Sequence, residues 1–175
     1  MSGIFAILRR VFISAFLFAL CYGNALAGVS YVPGPVFGAL NGATPVSGQV
    51  GQVINSTVAA GSAVTLSTGV PTNITSISCP PGTYLLFASI DFQVGATTTI
   101  NYIAGSVNGT SATLSDGYFA LMSAPGGSLS SVVGLTTPLA VVNFTATTTT
   151  FLVVQASFAT STLKAYGAIS ALRIA

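Results

Sequence analysis

Charge is what this chain has least of: only 3% of its residues are charged, and histidine, glutamate and tryptophan do not occur at all. Without His or Glu, general acid/base chemistry would fall to Asp91 and Asp116, and a nucleophilic Ser or Cys would lack its usual base. Asp91 stands among alternate polar residues of an apolar run and Asp116 opens an Asp-Gly turn, so both read as structural and no catalytic residues are assigned. With no His, no Glu and few Cys, there is also no recognisable ligand set, so no metal and no cofactor is expected. Clustered Lys and Arg are missing too, which disfavours nucleic acid as a partner.

The second scarcity is of long apolar runs. Hydrophobic residues make up 51% of the chain, yet beyond the first 27 residues they are spread through short alternating stretches, none close to the ~20 continuous apolar residues of a spanning helix. The exception is the beginning. Arg9 and Arg10 form a positive region, Val11 to Cys21 an apolar one, and Ala25-Leu26-Ala27 a small-x-small cleavage site before Gly28, so residues 1–27 read as a secretory signal peptide. After its removal Lys164 and Arg173 balance Asp91 and Asp116, a formal net charge of zero, and Cys79 remains as the single cysteine, so no intramolecular disulfide can form. The expected location is secreted, extracellular or at the cell surface, or periplasmic if retained, with no stable membrane span.

What the chain does have is β-strand patterning. From Pro80-Pro81-Gly82 to Gly95, Tyr84, Leu86, Ala88, Ile90, Phe92 and Val94 take every second position, a long strand with one face in a core. Leu85 and Phe87 make the first half of the other face apolar as well, so it requires a cover. Residues 28–47, with Pro33, Pro35, Pro45 and several glycines, read as an extended arm. Strands are expected at about 50–57, 62–68, 73–79, 83–94, 98–107, 117–123, 130–135, 139–145, 150–158 and 163–174. Between them lie turn signals such as Gly69-Val70-Pro71, Asn108-Gly109 and Pro125-Gly126-Gly127. Turns spaced this evenly indicate an all-β antiparallel sandwich or barrel over residues 48–175.

Two late strands carry the question of association. In one, Leu152, Val154, Ala156 and Phe158 form the inner face; in the other, residues 163–174, both faces are apolar or small. Leu85, Phe87, Phe151, Val153, Ile169 and Ala171 lie opposite the faces assigned to the core and are the candidate subunit interface. Left bare they would form a larger apolar patch than monomers tolerate. Four sequons occur, at Asn55, Asn73, Asn108 and Asn143, with Asn108 in an Asn-Gly turn the best placed acceptor if the source glycosylates.

Pro81-Gly82-Thr83-Tyr84-Leu85-Leu86-Phe87 resembles the Pro-Gly-x-Tyr-x-Phe strand of the C1q and tumour-necrosis-factor-like jelly rolls, and Tyr166-Gly167-Ala168-Ile169-Ser170-Ala171 suits their closing strand. Residues 48–175 are also similar to small bacterial and phage surface or virion-associated proteins. The resemblance implies a jelly-roll β-sandwich and a homotrimer whose axis is lined by apolar and aromatic side chains. The resulting expectation is a non-enzymatic surface structural or adhesive module, with itself as partner and a cell-surface glycan or protein receptor as a further one. The rival readings are a pilus-type filament subunit with residues 28–47 as donor arm, a phage fibre protein, and an outer-membrane barrel.

Overall fold

The computed structural model describes residues 44–115, 117–127 and 132–175. The signal peptide over 1–27 and the arm as far as residue 43 therefore lie outside the described residues, as does Asp116. Ten strands follow one another: β1 (Val53–Val58), β2 (Val64–Thr65), β3 (Thr72–Cys79), β4 (Gly82–Val94), β5 (Thr99–Asn108), β6 (Phe119–Gly127), β7 (Val132–Thr136), β8 (Ala140–Phe144), β9 (Thr148–Ala159) and β10 (Leu163–Arg173). They form two antiparallel sheets facing each other, a β-sandwich. The first has the order β1-β10-β4-β7, with β2 added on β10 and β8 on β4; the second has the order β3-β9-β5-β6.

β4 is the spine of the first sheet, and its alternation is the one the sequence predicts. Tyr84, Leu86, Ala88, Ile90 and Phe92 are buried between the sheets, where they meet Ile74 and Ile77 of β3, Ile100, Ile103 and Val107 of β5, and Leu152, Val154 and Ala156 of β9. Phe158 packs on the margin of this cluster and is only partly buried.

The phase of β10 is the reverse of the expectation. Leu163, Ala165, Ile169 and Ala171 point into the core, and Lys164, Tyr166, Ala168, Ser170 and Leu172 point out. Register with β4 decides this, because Ala165 pairs with Phe92, Ile169 with Ala88 and Ala171 with Leu86, all on the inner face. A strand apolar on both sides carries no local signal of phase, and a slip of one residue exchanges its faces.

Gly167 lets β10 and β4 come together at their middle. Its φ is +154°, and a Cβ there would overlap the Ser89 carbonyl oxygen. Along the other flank of β4 the partner strand is interrupted: β8 pairs with Gly82 to Leu86 and β7 with Ser89 to Gln93. Pro138 cannot donate to a ladder, and Thr137 bridges the break. The Ala88 N–H donates to Thr137 Oγ1 at 3.0 Å, and the Thr137 N–H donates to the Ala88 carbonyl at 3.0 Å.

The loop from Gly109 to Ser115 turns back over the outside of the second sheet. Asn73 clasps it, donating from Nδ2 to Ser111 Oγ at 2.7 Å and accepting the Ala112 N–H at 2.7 Å. The Ser115 N–H donates to Ser106 Oγ at 3.1 Å. Asn73, Val153 and Ser106 are cross-strand neighbours on β3, β9 and β5, so Val153 lies in the row that the loop engages and is fully buried.

Candidate interaction face

The six residues of the expected interface separate into three groups. Ile169 and Ala171 belong to the inter-sheet core, a correction that follows from the phase of β10. Val153 is fully buried within its own subunit and so is not a free surface either. Phe151 is half-buried on the outer face of the second sheet, paired with Ser76 and Asn108. Only Leu85 and Phe87 share one outward surface, that of the first sheet.

On that surface strand register gathers residues the sequence did not bring together. Val53 of β1 stands beside Leu172 of β10, Leu172 beside Leu85 of β4, and Leu85 beside Val141 of β8, an apolar row across four strands. Val53 and Val141 are 60% and 58% exposed, and Phe87, two residues along β4 from Leu85, is 47% exposed. Leu139, in the break between β7 and β8, is 60% exposed. Exposed apolar side chains gathered on one face are of the kind that interaction sites present in general. The signal in the sequence was Val at outward positions of β1 and β8, where Ile54 and Val142 beside them made each segment apolar on both faces.

The two charges of this face stand at its opposite end, where Asp91 pairs with Tyr166 and Gly134, and Lys164 with Gln93 and Thr65. The apolar row thus has no charged member. The remaining described charge, Arg173, lies over the Tyr84 ring at 5.8 Å from its centroid, and its Nη1 is 3.5 Å from the Tyr84 hydroxyl. A second exposed apolar pair, Phe119 and Leu121, projects from β6 at the edge of the second sheet.

Chemistry-bearing groups are dispersed. Among the described residues there is no group of three or more His, Cys, Asp or Glu, and no helix long and apolar enough to cross a membrane. Cys79 is fully buried; burial pushes its thiol pKa up, against a smaller downward effect of the Thr150 hydroxyl, which favours the inert neutral thiol. Three of the four sequon amides are engaged: Asn73 in the loop clasp, Asn108 with the Thr113 carbonyl and Asn143 with the Thr83 hydroxyl. No protein-family model and no curated protein matches this chain.

Proposed function

We propose that the protein is a secreted, non-enzymatic jelly-roll module that assembles with copies of itself, as a trimer, into a surface structural or adhesive unit. The strand order supports the jelly roll: a six-stranded sheet, β1-β10-β4-β7 with β2 added on β10 and β8 on β4, faces the four-stranded sheet β3-β9-β5-β6, an interleaving of Greek-key type. The uncharged apolar row on the outer face of the first sheet carries the proposal of self-association. Its chemistry matches another apolar surface of the same chain, and the exposed pair Phe119 and Leu121 on β6 supplies one. Contact between two unlike patches is heterologous, and a heterologous contact that closes gives a small ring. The absence of His and Glu from the sequence supports the non-enzymatic reading. Secretion rests on the leader over residues 1–27.

The test is the mass of the purified protein in solution, with Phe87→Glu as the disrupting variant. Phe87 is half-exposed, so the charge can be borne by the folded subunit but not by a closed apolar interface. Assembly lost on this substitution, with folding retained, supports the proposal. Polydisperse filaments would transfer it to the pilus-type reading.

A further inference from the structure

We infer that Asn55 of β1 is the N-glycosylation acceptor of this chain, in place of the Asn108 that the sequence favours. The reaction joins the Asn55 amide nitrogen to the first sugar of an oligosaccharide carried on a polyisoprenyl pyrophosphate. The bond from the anomeric carbon to the pyrophosphate oxygen breaks, the pyrophosphate keeps the electron pair, and the amide releases one of its two protons. Such a transfer needs an Asn-x-Ser/Thr segment, a free amide and a surface with room for a bulky, solvated group.

Local geometry separates the four sequons. Residues of a strand alternate between its faces; Asn55 and Thr57 are both exposed on the outer one, while Ser56 between them shares a hydrogen bond with the Thr75 hydroxyl at 2.6 Å. No described residue bonds to the Asn55 amide. Asn55 also lies on the edge strand of its sheet, outside the apolar row. The other three amides are occupied. Asn73 holds Ser111 and Ala112 at 2.7 Å each, and a β-bulge separates it from its Thr75. Asn108 donates to the Thr113 carbonyl at 2.9 Å and accepts the Thr110 N–H at 3.2 Å. Asn143 donates to the Thr83 hydroxyl at 2.9 Å.

Chain order separates them further, because an acceptor must be reached before its surroundings close. Asn55 pairs with Ser170 of β10, about 115 positions later, so β1 has no sheet partner until nearly the whole chain is made. At synthesis rates of about 5–20 residues per second, the site stays open for roughly 6–20 seconds. The Asn108 turn, by contrast, is complete at Thr113, five residues on. Asn143 meets Thr83, which is made before it, and Asn73 waits 38 positions for Ser111. Asn55 therefore comes first among the four and Asn108 last.

Expression of the full chain in a cultured eukaryotic cell, followed by mass measurement of the peptide carrying each sequon, tests the inference. The expected result is a glycan on Asn55 at the highest occupancy of the four and on Asn108 at the lowest. Asn55→Gln should remove the principal glycan, as should Thr57→Ala, with Thr57→Ser retaining part of it. A principal glycan on Asn108, equal occupancy at all four, or a secreted chain bare at Asn55 would overturn the inference. It rests on residues 1–27 acting as a leader, and the two fail separately: a chain retained in the cytosol fails the leader, and the same chain behind a leader of the host then tests Asn55 alone.

Discussion

Replacing Gly167 by Ala should damage this fold more than any other substitution that adds a single methyl group to a described glycine. Gly167 faces Ile90 of β4 on one side and Val58 of β1 on the other, in the middle of β10. An added Cβ would overlap the Ser89 carbonyl oxygen and lie 3.0 Å from Ile90 Cα and 3.1 Å from the Ser89 carbonyl carbon. All three are backbone atoms, so no rotamer change relieves the overlap and the two strands must part. A positive φ costs an L-residue about 1–2 kcal/mol, and weakening two ladder hydrogen bonds costs about 1 kcal/mol each. The sum, about 3–4 kcal/mol, is a large share of the ~5–15 kcal/mol by which domains are stable. Gly105→Ala is the internal control. There the Cβ would overlap Ile90 Cδ1, the end of a side chain that can turn away, so overpacking should cost about 1–3 kcal/mol. Urea unfolding followed by far-UV circular dichroism reads both as shifts of midpoint at unchanged slope. Gly167→Ala within 1 kcal/mol of the parent, or milder than Gly105→Ala, would refute the reasoning.

Phe92→Ala should cost about 3–5 kcal/mol, the range for a fully buried aromatic, and Phe158→Ala distinctly less, because Phe158 only borders the core; equal losses in urea unfolding would contradict that placement. Thr137→Val should destabilise by about 1–3 kcal/mol by leaving the buried Ala88 N–H without an acceptor, with Thr137→Ser recovering most of it; an equal loss in Thr137→Ser would assign the effect to packing instead. Cys79 should resist a thiol reagent at neutral pH until the protein unfolds. Since its folded-state pKa is raised above the ordinary 9.0, the stability linked to the neutral thiol is fully present below that pH and is lost as pH rises through the folded value. Rapid labelling of the native protein would contradict the burial.

The sandwich was legible because most of its strands are polar on one side or bounded by turn residues. β4 announces its inner face by strict alternation from Tyr84 to Phe92, and each of the ten expected strands has a counterpart. Where the boundaries differ, the cause is tertiary. Strand β6 runs through Pro125-Gly126-Gly127, which as sequence is a turn signal, because it lies at the edge of its sheet, where a missing N–H is tolerated. The candidate site was legible only in part. Leu85 and Phe87 were placed on an outer face by the phase of β4 alone, whereas Val53, Leu172 and Val141 join them through register between strands distant in sequence. Ile169 and Ala171 went to the wrong side because nothing in residues 163–174 distinguishes the two faces. Val153 was lost to a contact between a β3 asparagine and a loop some forty positions later, which no local pattern encodes.

The central claim, that the outer face of the first sheet is a closed contact between copies of this chain, is tested most directly by light scattering on the purified protein and on Phe87→Glu. The account predicts about three times the subunit mass for the parent, a small closed ring, and a folded species of one subunit mass for the variant. A parent that is itself a well-behaved monomer, with Phe87 and Val141 accessible to solvent, would contradict it.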